Sequence, residues 1–337
     1  MKRPVPAPGP ASAPAAQRVG FLLLPDFPQI CLTGAIEPLF IANWLSGSAL
    51  YRWETLSLDG RPVSASNGTA IAVDAAASDD VRFDALFLLA SFDVKRQIGD
   101  RRLRAWLRRV ARHGAAMGAI ETGAELLAAA GLLEDQPVAI HWDNLQGFQE
   151  SHGGTRAVEQ LYTMTPGRLT CAGGSAVFDM MLAWIRERHG EALAAEIAGH
   201  LLLDRIRPAE TPQPVPGAVP AQAADPKLRQ ALALMEQSIE EPLPCPVIAE
   251  RVGLSMRQLQ RLFERALGSA PACHYMQIRL ARAHALLQQT DLGVTEIAMS
   301  AGFGSLEHFS RVYRARFGLA PSRDRRQTVS APTMRRG

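Results

Sequence analysis

The chain of 337 residues is longer than one ordinary domain, so we expect two. Its composition is typical of a soluble globular protein, with 47% hydrophobic and 20% charged residues and a formal net charge of +3. No apolar run is long enough to span a membrane, so no membrane partner is expected. The four cysteines form no C-x-x-C pair. The spacing therefore supports neither a zinc site nor a disulfide framework, and a cytoplasmic protein without a metal or cofactor is predicted.

The N-terminal sequence MKRPVPAPGPASAPAAQ is dominated by proline and alanine. It lacks the apolar segment of a signal peptide and offers little to bury. Residues 1–17 are therefore predicted to be a disordered tail, as are the last residues, 328–337.

Residues 18–206 alternate short apolar runs with helical patterns. Continuous apolar runs are typical of parallel strands that are covered on both faces. Their alternation with helices predicts a doubly wound, flavodoxin-like α/β sheet. The predicted strands are 19–25, 53–58, 83–90, 115–120 and 169–174, and the predicted helices are 32–46, 94–112, 122–131 and 175–189.

A proline-rich segment, RPAETPQPVPGAVPAQAAD, follows this domain. It holds five prolines and no apolar periodicity, so residues 207–225 are predicted to be an extended linker. Beyond it, residues 226–327 have almost no strand signal and are predicted to be all-α. Residues 227–327 carry 14 basic and 9 acidic side chains, a net charge of +5, whereas the remainder carries 22 and 24, a net charge of −2. A local basic excess suits a polyanion, although a solvated surface carries such charges as well.

An internal repeat in this last domain is the most informative feature of the sequence. The two copies are residues 247–271 and 295–321. Gly253 and Gly302 hold the position where a left-handed residue ends a helix. Ser255 and Ser305 follow at the position of an N-cap for the next helix. Each copy is therefore predicted to be a helix-turn-helix, with a long helix over 274–292 that holds the two units apart.

The second helix of each copy has an apolar inner face and a polar outer face. Arginine can pair with guanine and glutamine with adenine in the major groove. Such polar faces also occur as plain solvated surface, but two copies with matching turns and arginines favour contact with double-stranded DNA. The residues predicted to contact DNA are Arg257, Gln258, Gln260, Arg261, Leu306, Glu307, His308 and Arg311. The residues predicted to be buried are Met256, Leu259, Leu262, Phe263 and Leu267 in the first copy, and Phe309, Val312, Tyr313 and Phe317 in the second.

The second copy, IAMSAGFGSLEHFSRVYRARFGLAPS (297–322), resembles the signature of the AraC/XylS family of regulators. The resemblance covers residues 228–326 and implies a DNA-binding domain whose two recognition helices enter successive major grooves. It also implies RNA polymerase and a second copy of the chain as partners. One departure concerns the last short helix: where the family has an aromatic residue before an arginine, this chain has Asp324.

The stretch MGAIETGAELLAAAGLL (117–133) resembles the nucleophile elbow of the PfpI-type, class I glutamine amidotransferase-like fold. In the enzymes of that family a cysteine stands where this chain has Glu121, so no catalytic residue is predicted. An alternative is an amidotransferase-like hydrolase tethered to DNA, for which Cys171 is the candidate nucleophile. A DNA-coating protein without any ligand is a third hypothesis.

The whole chain past residue 18 resembles the GlxA-type regulators, which join the two domains. The stretches EPLFIAN, LYRWETLSLDG, SNGT, GAIETG, HW and TCAGG are similar to those of the subgroup that controls catabolism of arginine, glycine betaine and carnitine. The resemblance implies a ligand-responsive regulator that acts as an activator.

A carboxylate at the elbow, over the carboxyl ends of the strands, predicts a cationic or zwitterionic effector. Aromatic side chains would surround the cation, and a glycine turn at a helix N-terminus would hold a carboxylate. For each aromatic residue, and for Trp44 above all, packing in the core is the alternative; for Glu121 it is a carboxyl tied to backbone N–H groups. The residues predicted to bind the effector are Glu121, Thr122, Phe92, Trp142, Gly173 and Gly174, with Trp44 and Ser175 as further candidates.

Overall fold

The computed structural model describes residues 15–78, 80, 82–91, 94–214, 225–290 and 292–330, without the side chains of residues 95, 146, 289 and 326–330. The described residues form two compact units. The first unit comprises the chain up to His141 together with Gly154–Pro212. The second unit comprises Trp142–Gly153 and the chain from Gln213 onward.

A twisted sheet lies at the centre of the first unit. The described strands are β1 (Gln17–Leu23), β2 (Tyr51–Ser57), β3 (Val63–Ser64), β4 (Ala70–Ile71), β5 (Ala75–Ala76), β6 (Ala85–Ala90), β7 (Ala116–Glu121), β8 (Pro137–Ala139), β9 (Arg156–Val158), β10 (Tyr162–Thr165) and β11 (Arg168–Cys171). Seven of them form one sheet in the order β10-β11-β7-β6-β1-β2-β5, and two small sheets pair β3 with β4 and β8 with β9. The five predicted strands are thus confirmed as β1, β2, β6, β7 and β11, all paired in parallel.

The strand order is that of a flavodoxin-like sheet, as predicted, with the switch in winding direction between β1 and β6. Every residue of β6 is buried, because helices cover both faces of the sheet. Gly118 of β7 lies in register with Phe87 of β6, and a Cβ at Gly118 would come within 2.1 Å of the Phe87 ring. Glycine is therefore required there for this ring to pack.

The helices of the first unit are α1 (Gln29–Ser46), α2 (Lys95–Gly99), α3 (Arg101–Arg112), α4 (Gly123–Ala129), α6 (Ala176–His189) and α7 (Glu191–His200). The predicted helix 94–112 is two helices, because the Asp100 carboxylate accepts from the N–H groups of Arg102 (2.8 Å) and Leu103 (3.2 Å) and starts a new one. Helix α7 has no counterpart among the predictions.

The second unit is helical, as predicted. Its described helices are α5 (Leu145–Ser151), α8 (Pro226–Gln237), α9 (Cys245–Arg251), α10 (Met256–Leu267), α11 (Pro271–Gln289), α12 (Val294–Ser300), α13 (Leu306–Phe317) and α14 (Pro321–Ser330). Each helix-turn-helix has its own core, and α11 belongs to both: Tyr275 packs in the first core, and Leu280 and Leu286 pack in the second. No described helix has the length and hydropathy to cross a membrane.

Three domain boundaries differ from the prediction. Gln17, assigned to the tail, begins β1, and the last helix runs to Ser330, three residues into the second predicted tail. The predicted linker 207–225 begins too early, because the Leu161 N–H donates to the carbonyls of Ala209 and Thr211 (3.1 Å each) and residues up to Pro212 belong to the first unit. Proline cannot donate to a ladder, but the carbonyls around it still accept. The remaining tail and linker positions, 1–14, 215–224 and 331–337, lie outside the described residues.

Candidate functional site

The elbow predicted from the sequence is present in the first unit. Strand β7 ends at Glu121 with φ +57°, and α4 begins two residues later. A Cβ at Gly123 would lie 2.5 Å from the Leu88 carbonyl oxygen, so the tight strand-to-helix turn requires glycine. A left-handed conformation costs a non-glycine residue about 1–2 kcal/mol, and residues strained in this way are enriched at functional sites. The chain therefore keeps the backbone conformation of a nucleophile elbow, although the residue at the nucleophile position is Glu121.

Three elements meet around Glu121. A Cβ built on Gly173, in the turn between β11 and α6, would lie 3.2 Å from Glu121 Cβ and 3.7 Å from Cys31 Sγ, in the first turn of α1. Gly173 itself has φ +94°, so both the space and the backbone conformation require glycine. The carboxyl ends of β7 and β11 and the start of α1 thus border one place on the unit, where α/β folds bind ligands.

The two cysteines of this unit are buried beside the elbow, and both are poor nucleophiles. Burial first, and the Glu121 carboxylate second, raise the pKa of the Cys31 thiol to about 12, while the Gly174 N–H opposes the shift. Burial also raises the pKa of the Cys171 thiol, whose sulfur accepts from the Gly173 N–H at 3.4 Å. A reactive cysteine is exposed and has a lowered pKa, so Cys171 does not fit the role of nucleophile in the hydrolase alternative.

The glycine turn predicted to hold a ligand carboxylate already has hydrogen-bond acceptors nearby. The N–H groups of Gly173 and Gly174 face the sulfurs of Cys171 and Cys31. The next residue, Ser175, accepts from the Arg207 guanidinium at 3.0 Å through its hydroxyl oxygen. Ser175 thus places the Arg207 guanidinium beside this turn.

Arg207 was not anticipated from the sequence. Its Nη2 and Nε lie 2.6 and 3.0 Å from Asp179 Oδ2, and its backbone N–H donates to Asp179 Oδ1 at 2.7 Å. Asp179 is almost fully buried on α6, and a buried charge requires such pairing. The only sequence signal was an aspartate inside an apolar helix, which calls for a cation from elsewhere in the chain.

The other predicted effector residues are placed as follows. Thr122 is buried, and its hydroxyl donates to the Ser91 carbonyl at 3.0 Å, which fixes the elbow. Phe92 lies outside the described residues. Trp142 belongs to the second unit, so its place beside Glu121 stays a prediction.

Trp44 packs neither in the core nor at the elbow. It is 61% exposed and makes an edge contact with His200 at 5.0 Å. Thirteen helical positions separate it from Cys31, which is about 20 Å along α1. Both readings of Trp44 from the sequence are therefore wrong, since spacing alone cannot tell which end of a helix approaches a site.

The first helix-turn-helix forms as predicted. Gly253 is left-handed with φ +68° after α9. Ser255 caps α10 in a reciprocal capping box: the Gln258 N–H donates to Ser255 Oγ (3.3 Å), and the Ser255 N–H donates to Gln258 Oε1 (2.8 Å). Met256 is partly exposed, contrary to prediction, because the buried face of α10 begins one turn later, at Leu259. The residues of α10 predicted to contact DNA are all exposed: Arg257, Gln258, Gln260 and Arg261.

The second helix-turn-helix is built on the same plan. Gly302 is left-handed with φ +75°, and Ser305 caps α13 by accepting from the His308 N–H at 3.3 Å. Phe309 and Tyr313 are buried, as predicted. Leu306, Glu307 and Arg311 are exposed, whereas His308 is half-buried with its ring 5.9 Å from that of Phe303.

Asp324 shows how the last helix packs. Its Oδ2 accepts from the Tyr313 hydroxyl at 2.6 Å and lies 3.3 Å from His284 Nδ1, so one carboxylate joins α14 to α13 and α11. The departure from the family pattern at this position thus gives the last helix a polar anchor. The described residues contain no group of three or more His, Cys, Asp or Glu that could hold a metal ion.

Both units match known protein families. Residues 18–187 match the DJ-1/PfpI family, and residues 248–327 match a family described as a helix-turn-helix domain. The crystal structure of an AraC family transcriptional regulator from Pseudomonas putida has 28% identity and a TM-score of 0.51, covering 55% of this chain and 99% of its own. A ThiJ/PfpI family protein from Pseudomonas syringae has the same TM-score at 17% identity and shares the fold, covering 78% of this chain and 97% of its own.

Relatives of known role align over almost the full length. The HTH-type transcriptional regulators CdhR and GbdR of Pseudomonas aeruginosa are 40% and 41% identical to this chain, covering 92% of it and 92% and 84% of their own lengths. The HTH-type transcriptional regulator GlxA of Rhizobium meliloti is 34% identical, covering 93% of this chain and 97% of its own. These relatives are regulators, which supports a regulatory and not a catalytic role for the first unit. The chain belongs to the DJ-1/PfpI family and, with its AraC-type DNA-binding domain, it is a ligand-responsive HTH-type transcriptional regulator.

Proposed function

We propose that this regulator reads DNA through α10 and α13 and is controlled by a small zwitterion or cation that binds at Glu121. The observation that carries the effector class is a carboxylate on a strained elbow at the carboxyl ends of the parallel strands. A cation gains more from a carboxylate in a partly dry cleft than in water. Arg207 and the turn of Gly173 and Gly174 would hold the ligand carboxylate. Thr122, and the aromatic rings of Phe92 and Trp142, would complete the site.

The proposed DNA contacts follow from exposure and chemistry. Arg257 and Arg261 on α10 and Arg311 on α13 are exposed cations on helices that follow tight turns. Arginine is the side chain that most often reads guanine, and any of them could instead hold a phosphate. The proposed contacts on the two helices are Arg257, Gln258, Gln260, Arg261, Leu306, Glu307, His308 and Arg311.

The effector class is tested by thermal shift on the full-length chain. L-Arginine, glycine betaine and carnitine all carry a cation and a carboxylate, and succinate serves as an anion without a cation. A ligand at 100 times its Kd adds about 2.7 kcal/mol of stability to the folded chain. Stabilisation by at least one zwitterion but not by succinate is expected; stabilisation by succinate alone would overturn the assignment.

Neutralising Glu121 tests the site itself. Glu121→Gln keeps the shape of the side chain but removes the charge, so it is expected to abolish stabilisation by the ligand. The matched control is Glu37→Gln, since Glu37 is an exposed carboxylate on α1. A Glu121→Gln protein that responds normally would show that the charge has no part in binding, and one that fails to fold would show that Glu121 is a structural carboxyl.

We further infer that the protein acts in the cytoplasm as a homodimer that activates genes for amino-acid or quaternary-amine catabolism through RNA polymerase. A C₂ dimer matches an operator with two half-sites. Exposed apolar side chains in the first unit, Phe40, Trp44 and Leu202, are of the kind that subunit association covers. Light scattering would measure the mass of the particle, and transcription in vitro with purified polymerase would show whether the effector raises or lowers output.

A further inference from the structure

The segment Trp142–Gly153 is an excursion of the chain from one unit into the other. It connects β8 and β9, which pair with each other in the first unit, and the residues that flank it, His141 and Gly154, belong to that unit. The segment itself, with helix α5, packs within the second unit. A short helix is thus anchored at both ends in the sensing unit and embedded in the DNA-binding unit.

Helix α5 packs against α11, the helix that joins the two helix-turn-helix units. Phe148 of α5 is fully buried, and its ring lies 4.9 Å from that of His152. Glu150 Oε1 lies 3.6 Å from Arg282 Nη2, with 31% and 22% of the two side chains exposed. Burial raises the pKa of Glu150, and Arg282 opposes that shift. The side-chain contact between α5 and α11 is therefore a partly buried ion pair.

Arg282 also contacts the connection between α8 and α9 and the second helix-turn-helix. Its Nη2 lies 3.5 Å from Glu240 Oε1, which follows α8, and its Nε donates to the Ser300 carbonyl at 3.3 Å, at the end of α12. One turn earlier, Arg279 donates to the carbonyls of Ala301 (3.0 Å) and Gly302 (2.6 Å). The two arginines of α11 therefore hold the turn that sets the direction of α13.

Strand β8, which precedes the excursion in the first unit, is bonded to β11 and β10, and β11 leads to the proposed effector site. The Ala139 N–H donates to Thr170 Oγ1 at 2.8 Å, and Thr163 Oγ1 donates to the Pro137 carbonyl at 3.0 Å. The two threonine hydroxyls lie 2.6 Å apart and are buried. Thr170 immediately precedes Cys171, beyond which lies the Gly173 turn beside Glu121. A displacement at that turn would reach β8 through buried hydrogen bonds.

We propose that α5 is the element that transmits effector occupancy to the recognition helices, and that its Glu150–Arg282 pair is the contact through which it acts. The proposal rests on the effector site proposed above. Contiguous contacts make a route possible, and the coupling free energy between the two sites is what an experiment has to measure.

The experiment compares Glu150→Gln with Glu240→Gln in the full-length chain. Both variants neutralise one carboxylate beside the same guanidinium, but only Glu150 belongs to α5. The probes are glycine betaine, L-arginine and carnitine, and the DNA is a duplex selected from a random pool by the wild-type protein. We expect the ratio of DNA affinities with and without the ligand to fall at least five-fold towards one in Glu150→Gln and to keep its wild-type value in Glu240→Gln.

Linkage supplies an internal check. Because coupling is reciprocal, the factor by which DNA raises ligand affinity should fall in Glu150→Gln as much as the factor by which the ligand raises DNA affinity. Ligand affinity without DNA should stay within two-fold of wild type. An undiminished ratio in Glu150→Gln overturns the proposal, and so does an equal loss in Glu240→Gln.

Hydrogen exchange on the ligand-free chain separates this proposal from the effector assignment. Glu150→Gln should speed exchange of α5 amides and of Ser300–Gly302 several-fold, and Glu240→Gln should leave α5 unchanged. If none of the ligands shifts the wild-type protein, the effector assignment fails; if α5 exchange is unaffected by Glu150→Gln, the transmission proposal fails whichever ligand binds.

Discussion

The two helix-turn-helix units come from one repeated sequence pattern, yet they are held in different ways. In the first helix-turn-helix, a Cβ on Gly253 would meet only the flexible end of the Lys227 side chain, at 3.3 Å. In the second helix-turn-helix, a Cβ on Gly302 would lie 2.1 Å from the Ile239 carbonyl oxygen and 2.6 Å from Pro242 Cγ. The same glycine in the repeat thus serves only the left-handed conformation in one copy, and also a close approach of two backbones in the other.

The buried ring after each turn differs as well. Phe263 of α10 packs in an apolar core, whereas Tyr313, at the matching position of α13, donates its hydroxyl to Asp324. The outer faces share a matching arginine, Arg261 and Arg311. They differ at the start of the helix, which carries Arg257 and Gln258 in α10 and Leu306, Glu307 and the half-buried His308 in α13. This contrast indicates that the second copy is tied more firmly to its scaffold. Under the proposed function, it predicts that the first copy contributes more of the polar readout of DNA.

The largest effect is expected from replacing the two turn glycines. Gly302→Ala combines left-handed strain with a backbone clash and should destabilise the DNA-binding unit by roughly 2–5 kcal/mol. Gly253→Ala suffers only the strain, about 1–2 kcal/mol. Calorimetry on the full-length chain would measure the loss in each variant from the unfolding transition of the DNA-binding unit. Equal losses in the two variants would show that the close approach at Gly302 has no energetic weight.

Removing the Tyr313 hydroxyl makes the second helix-turn-helix resemble the first, which has Phe263 at the matching position. Tyr313→Phe removes the hydroxyl's bond to the Asp324 carboxylate, whose side chain is 15% exposed, and its 2.7 Å contact with His284 Nδ1, which should cost about 1.5–3 kcal/mol. Burial and Asp324 both raise the pKa of Tyr313, so the hydroxyl stays protonated and acts as a donor. Phe309→Leu is a core control without a polar contact. If Asp324→Asn and Tyr313→Phe both leave the calorimetric transition unchanged, the carboxylate does not anchor α14.

The sequence was sufficient for the features that depend on local patterns. Buried parallel strands are continuous apolar runs, and the turn glycines and capping serines of the repeat have fixed spacings, so these elements were predicted within a few residues. The excursion at Trp142–Gly153 could not be predicted in this way, because no local pattern says which unit a short helix packs against. The Arg207–Asp179 pair, 28 residues apart, was missed for the same reason.

The effector site was predicted in part. Glu121 was identified through the resemblance of the strand-turn-helix stretch around it to the family's nucleophile elbow, and its contact with an effector stays a prediction. Cys31 was missed, since its place beside Glu121 depends on how α1 packs on the sheet. Trp44 was misplaced because an aromatic residue on a helix has the same appearance in the sequence whether it is buried, ligand-bound or exposed.

The matching arginines of the two copies provide the next comparison. Arg261→Ala and Arg311→Ala should each weaken binding to the selected DNA by about 1–3 kcal/mol if each guanidinium reads a base. Arg316→Ala, an exposed arginine later on α13, is the control and should cause a smaller loss on any sequence. Binding is measured by fluorescence anisotropy on selected and random duplexes at several salt concentrations. An equal loss on both duplexes, with a lower salt dependence, would assign the residue to phosphate contact.

The smallest effect concerns the cap at the start of α10, which the second copy has only in part. Gln258 completes the capping box, and the matching position in α13 is His308, whose side chain makes no such reciprocal bond among those described. Gln258→Ala should therefore destabilise the DNA-binding unit by about 0.5–1 kcal/mol.

A second substitution separates this structural role from the proposed DNA contact. Glutamate also completes a capping box, so Gln258→Glu should keep the stability of the unit. It would, however, add a negative charge on the face proposed to meet the DNA, and repulsion by the phosphates should lower affinity at least several-fold. Glu264→Gln, which changes charge in the opposite direction on the same helix, controls for net charge. If Gln258→Glu retains both stability and full affinity, Gln258 is a capping residue alone and the DNA-reading face of α10 is narrower than proposed.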